Sequence, residues 1–306
     1  MTAPISVDRL KAHLRGMLSE AQVVPVEGLM ADFVVGCVDG RQTDCITSAP
    51  GGNAGLFILL LATLETFTGR QLSESDVKAL LASYLDCFGK FYLHTDGGVL
   101  ARMAQALDWP VDEAEKRLRN PRPEEVETLR REVAQPPHVG CGHLRQMLEQ
   151  PEVYGTRHEL TRAVMVAVFD RLWKGDERLV FEVLPGAHLE CGVVQIRTAG
   201  ADDQPTSVVS IYPHHGDVEL FVNHPEAITY LEGAHAIFLV DQGILAPDDA
   251  DAFVRAEHDL GEHHAAETIR ALAQDLPVYD VTISLEGNAP KDVGVVLATE
   301  SEPRST

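Results

Sequence analysis

The chain is short of basic residues. Its 306 residues carry 25 Lys and Arg against 47 Asp and Glu, a formal net charge of −22 at pH 7. Such a surface repels phosphate backbones and anionic headgroups, so neither nucleic acid nor a membrane is expected as a partner. A strongly anionic substrate would need basic residues lining its own pocket, whereas a small neutral one carries no penalty. Cysteine is scarce too: five residues, irregularly spaced and with no C-x-x-C pair. That argues against a disulfide framework and requires a separate case for each thiol. Long apolar runs are missing as well. The longest, AGLFILLLA (Ala54 to Ala62), is too short to span a bilayer. The opening MTAPISVDRLKAHLRGMLSEA reads as an amphipathic helix and not as a secretory signal. A cytoplasmic protein is expected.

What is present reads as a mixture of helices and strands. A helix is predicted over Val7 to Ala21, and ADFVVGCV is predicted to be a buried strand ending at Asp-Gly. The turn SAPGGNAG then opens a helix from Leu56 to Thr68. SESDVKALLASYLDCFG carries a Ser cap, early acids and a closing Gly, the marks of a bounded helix. KFYLHTDGG is a short strand stopped by a glycine pair. Residues 99–134, broken by Pro110, Pro121 and Pro123, read as an exposed helical insertion. PPHVGCGHLRQMLEQ is a turn entering a helix, and His158 to Lys174 is another helix. After Leu179 the texture becomes strand-rich: RLVFEVL, CGVVQIR, SVVSIY, VELFV, AIFLVDQ, VYDVTISL and VGVVLAT, with PDDADAFVRAEHD and AAETIRALAQ as surface helices. The tail, residues 300–306, is expected to be disordered. With no Ser/Gly/Pro linker between the halves, residues 1–306 are expected to form a single elaborated α/β domain.

Three places combine metal-capable side chains with turn chemistry: Cys37-Val38-Asp39-Gly40-Arg41, His94-Thr95-Asp96-Gly97-Gly98 and His138-Val139-Gly140-Cys141-Gly142. Each falls at the end of a predicted strand or the start of a helix, where α/β proteins gather their ligands. A Cys–His–Cys set leaves one corner of a tetrahedral ion open, as catalytic sites do. On this ground Cys37 and Cys141 stand apart from Cys45, Cys87 and Cys191, which read as packing residues. His214 and His215 belong to a hairpin turn first. His258, His263 and His264, in EHDLGEHH, read as a solvated surface.

CVDGR followed by PGG, then a strand-end His-x-Asp, then GCG entering a helix, resembles the zeta-class carbonic anhydrases, which use cadmium or zinc. The pattern is similar, more distantly, to the beta class, with its Cys-x-Asp-x-Arg and later His-x-x-Cys-Gly. The resemblance covers the first half of the chain and extends weakly to PGAHLECGVVQI, with His188 and Glu190. It implies a beta-carbonic-anhydrase-like central sheet flanked by helices, a metal held by Cys37, His94 and Cys141, and a catalytic dyad of Asp39 and Arg41. For the imidazole two candidates stand. The beta-class spacing selects His138, three residues before Cys141. The strand KFYLH instead delivers His94 to a sheet edge beside the Cys37 strand, and His94 is taken first. His143 is a distant third.

The implied activity is interconversion of carbon dioxide and bicarbonate through a metal-bound hydroxide, which a divalent cation makes available by lowering the pKa of its water towards ~7. Zn²⁺ suits two thiolates, and Cd²⁺ does equally. Asp39 would orient the hydroxide, and Arg41 would hold Asp39 ionised. The PGGNAG loop could turn backbone N–H groups towards bicarbonate. Two other readings stand beside this one. In the first, the same nucleophile acts on carbonyl sulfide or carbon disulfide, favoured by a narrow apolar channel. In the second, the chain is an acidic interaction protein stapled by a structural metal. Oligomeric state is left open, a homodimer included. Asp39→Ala and Arg41→Ala are each predicted to retain the metal and lose most carbon dioxide hydration; stopped-flow rates equal to wild type would remove the dyad from the mechanism.

Overall fold

A computed structural model describes residues 6–12, 35–37, 47–184, 192–198, 207–214, 217–219, 225–274, 276–286 and 289–298. Asp39, Arg41, Cys45, His188, Glu190, Cys191, His215 and the tail lie outside the described residues, as does most of the predicted first helix, whose described part is helical over 7–12.

The centre of the molecule is the helix α1 (Gly52–Thr68). Every residue from Gly52 to Leu64 is buried, which is why its apolar run shows no helical period: over that stretch the helix is surrounded on all sides. Phe57, Ile58, Leu60 and Leu61 are fully enclosed, each contributing about 1.5–3 kcal/mol of transfer free energy. The next helix, α2 (Glu74–Phe88), is amphipathic and buries Val77, Leu80, Leu81, Tyr84 and Leu85. Its start is fixed by a capping box between Ser73 and Asp76.

Two short parallel strand pairs flank α1. In the first, β1 (Val35–Cys37) runs beside β2 (Thr47–Ala49), with Cys37 opposite Ala49. In the second, β3 (Phe91–Asp96) runs beside β4 (Leu179–Leu184), with His94 opposite Glu182. Strand β3 alternates: Phe91, Leu93 and Thr95 are buried, while Tyr92, His94 and Asp96 are half-buried. Asp96 then caps α3 (Gly97–Ala106), its carboxylate accepting from the Val99 N–H at 2.8 Å, so its role is structural.

The segment 99–134 is helical in pieces, as expected: α3, α4 (Ala114–Arg119) and α5 (Val126–Glu132). It is not an exposed appendage, however. Met103, Ala104, Trp109, Leu118, Leu129 and Val133 lie in the main core, because one face of each piece is apolar while the Glu and Arg residues point outward. The core is closed by α6 (Gly142–Glu149) and α7 (His158–Trp173).

The C-terminal half builds a separate five-stranded sheet in the order β7-β6-β5-β8-β9: β5 (Gly192–Thr198), β6 (Ser207–His214), β7 (Asp217–Glu219), β8 (Val278–Glu286) and β9 (Ala289–Ala298). Only β5 and β8 run parallel; the other neighbours are antiparallel. The protein is thus mixed α/β with small parallel strand pairs, and the described strands of the first half do not join this larger sheet.

Two expectations fail here. AIFLVDQ is not a strand: it closes the helix α8 (Pro225–Asp241). His235 and Phe238 of α8 pack on Tyr84 with ring centroids 5.6 and 6.0 Å away, and a short apolar run cannot distinguish a buried helix from a strand. EHDLGEHH does not separate two surface helices but lies within one, α9 (Ala250–Leu272). His258 and His263 are exposed as expected, but Glu257 and His264 are buried. Glu257 meets His235 Nδ1 at 2.7 Å, and His235 Nε2 reaches the Tyr84 hydroxyl at 3.1 Å. Burial pushes the His264 imidazole down to about 4, so it is neutral at physiological pH.

Near the site, the packing turns on the first turn of α1. Buried Asn53 accepts the Tyr92 backbone N–H through Oδ1 at 3.2 Å, tying α1 to β3. Asn53→Ala removes that acceptor and is predicted to cost about 1–3 kcal/mol, read as a lower urea midpoint with an unchanged slope.

Candidate metal centre

Three chain ends converge beside the N-terminus of α1. Cys37 is the last residue of β1, His94 lies near the end of β3, and Cys141 is the N-cap residue of α6. Their ligand atoms all lie within 4.8 Å of one another, and among the described residues this is the group of Cys, His, Asp and Glu able to hold a metal ion. The two Sγ atoms are 3.5 Å apart. Zinc–thiolate bonds of ~2.3 Å at a tetrahedral angle would set them roughly 3.8 Å apart, so the thiol pair fits an ion within a few tenths of an ångström. Both cysteines are buried and His94 half-buried. The hydrogen bond with Cys141, together with burial, holds the Cys37 thiol well above its ordinary range, while His94 pulls the other way.

Glycines make the convergence possible. A Cβ on Gly140 would stand 2.4 Å from the Thr95 Cα, so the loop carrying Cys141 lies directly against the strand carrying His94. At Gly52, where φ is +58°, a Cβ would meet the Cys37 N at 3.1 Å. At Gly51, φ +79°, it would meet the Leu144 side chain of α6 at 2.9 Å. PGGN therefore touches all three ligand-bearing elements: Gly52 meets β1, Asn53 meets β3 and Gly51 meets α6.

His94 and Cys141 face a cavity of about 20 Å³ that Gly51 and Thr95 also line, room for roughly one or two water-sized molecules. Its remaining walls are mostly apolar, with Met103, Leu118, Val133, Met165, Phe169 and Phe181 among them.

His138 lines the same cavity but lies outside the ligand group. It ends a 3₁₀ turn, Pro136–His138, that Arg102 holds by donating from Nε to the Pro137 carbonyl. The imidazole is largely buried, its Nδ1 3.0 Å from a Glu132 carboxylate oxygen. The turn expected there is thus present, and its imidazole has an acidic partner of its own. His143 is also elsewhere: its Nδ1 pairs with Thr268 Oγ1 at 2.9 Å, and burial, reinforced by His264, holds its pKa well below the ordinary value. Cys87, expected to pack, is exposed at the end of α2. Asp39 and Arg41 lie outside the described residues, two and four positions beyond Cys37.

Sequence reasoning missed Asn53 and the apolar cavity. A buried Asn in the first turn of a helix has no signature in one sequence. The cavity is assembled from segments scattered between Gly51 and Phe181 and carries no local motif.

The chain matches no protein-family model, no curated protein and no solved structure.

Two predictions follow from the geometry. His94→Ala loses the bound metal and His138→Ala keeps a full equivalent, as read by metal analysis of purified protein; the reverse result hands the ligand role to His138. Gly140→Ala forces the Cys141 loop off β3 and lowers metal affinity by at least ~10-fold, measured by competition with a chromophoric chelator.

Proposed function

We propose that the chain is a metal-dependent carbonic anhydrase of the zeta/beta type, using zinc or cadmium to interconvert carbon dioxide and bicarbonate. The observation that carries this reading is the meeting of Cys37, His94 and Cys141 beside a small apolar cavity. Two thiols and an imidazole suit a borderline-soft divalent ion. Such an ion supplies the Lewis acidity that makes water nucleophilic near neutral pH.

The chain's own residues supply the rest. Carbon dioxide has no net dipole, and the walls formed by Met103, Val133, Met165 and Phe181 accept it without desolvating a charge. The same walls disfavour a retained bicarbonate, which helps product leave. Cys141 and His94 face that space, so the reacting carbon is presented to the ligand side of the site. Asp39 and Arg41 complete the proposal: the carboxylate orients the nucleophile by accepting its hydrogen bond, and the guanidinium keeps that carboxylate ionised.

The apolar lining also favours a second reading, in which the substrate is carbonyl sulfide or carbon disulfide. These molecules are linear and somewhat larger than carbon dioxide, carry no charge to desolvate, and would be attacked at carbon by the same nucleophile.

The test is metal analysis of reduced protein paired with two assays, carbon dioxide hydration by stopped flow and sulfide release from carbonyl sulfide. One equivalent of zinc or cadmium with fast hydration is expected. Sulfide release with negligible hydration transfers the assignment to the second reading. Full metal with neither activity leaves a structural ion, and protein empty of metal refutes the proposal.

A further inference from the structure

We infer that Cys37 and Cys141 form a reversible disulfide that competes with the metal for the same two sulfurs. The inference about metal loading rests on the reading above; the disulfide itself rests on geometry alone. The sulfurs are 3.5 Å apart and buried together. A disulfide needs ~2.05 Å, so the pair must close by about 1.5 Å, within reach of side-chain rotation at two strand- and helix-end positions. Neither sulfur can be a thiolate ligand while it is bonded to the other.

The two thiols are not equivalent. Cys141 is among the residues that line the cavity, and Cys37 is not. An oxidant of water-like size, hydrogen peroxide, therefore meets Cys141 first. The Cys141 sulfur attacks one peroxide oxygen, the O–O bond breaks, and a sulfenic acid and one water result. The Cys37 sulfur then attacks the Cys141 sulfur and expels a second water. The sum is two thiols and one peroxide giving one disulfide and two waters, two electrons passing to the peroxide. A dithiol reductant reverses it by exchange.

The geometry also separates this pair from the exposed Cys87, which has no thiol held beside it among the described residues. Oxidised Cys87 is expected to stop at sulfenic or higher acids.

The experiment uses the full chain, stripped of metal under reducing conditions and then exposed to equimolar hydrogen peroxide. A Cys37–Cys141 peptide link is expected in a non-reducing digest, with the linked peptides lighter by two hydrogens, about 2 Da. Zinc uptake is expected to be lost in step with the link and to return with dithiothreitol. Cys37→Ser should stop at a sulfenic acid on Cys141, trapped by dimedone; Cys141→Ser should leave Cys37 unreacted at the same dose. Should either variant fail to fold, the wild-type digest alone decides. Sulfinic or sulfonic Cys141 without the link, or a link using other cysteines, overturns the inference. A link that forms in protein that never takes up zinc upholds the disulfide and refutes the proposed function instead.

Discussion

Three backbone segments meet at one point because no side chain stands between them. Gly52 lets the first turn of α1 touch β1, Gly51 leaves room for Leu144 of α6, and Gly140 lies flat against Thr95 of β3. The placing of Cys37, His94 and Cys141 follows from these contacts. A methyl group at Gly140 would occupy space already filled by the Thr95 backbone, a position that cannot yield as the end of a flexible side chain can. The Cys–His–Cys triangle is thus set by van der Waals contact between backbone segments. Such prior placement is what metal selectivity and catalysis both require of a supporting structure.

The interior around this point carries a second, polar layer that the site does not use. Tyr84, His235 and Glu257 form a chain of hydrogen bonds linking α2, α8 and α9, and His264 rests on the Tyr154 carbonyl. Burying polar groups is costly unless each residue finds a partner, and Tyr84, His235 and Glu257 do so across three helices, which fixes their mutual rotation. Asn53 acts in the same manner between α1 and β3. Polar groups in this core therefore specify which faces meet, while the apolar residues supply most of the driving force.

Much of this was legible in one sequence. Capping signals located α2 closely, since Ser73 and Asp76 act within four residues of each other. Residue type and position picked out three candidate segments, the resemblance implied Cys37, His94 and Cys141 with His138 as the rival imidazole, and the structure brings the first three together. Legibility failed where the deciding neighbours were distant. AIFLVDQ is helical because Tyr84 and Phe88, some 150 residues away, receive its Phe238 and the adjacent His235. EHDLGEHH looked wet because its charges are written locally, while Glu257's partner His235 sits on another helix. The helical pieces of 99–134 looked like an appendage because their inward faces are short and interrupted by prolines. In place of the single central sheet implied by resemblance, the described residues show two two-stranded parallel pairs and one five-stranded mixed sheet.

The two sulfurs come from positions 104 residues apart, and that separation has a temporal side. A ribosome adds roughly 5–20 residues per second, so Cys37 emerges on the order of 5–20 s before Cys141 exists. For that interval the first half of the grip is present without the second, and an ion that reaches it has one sulfur to hold. Both sulfurs can face one another, with His94 beside them, only once the segment that opens α6 has been made and has docked.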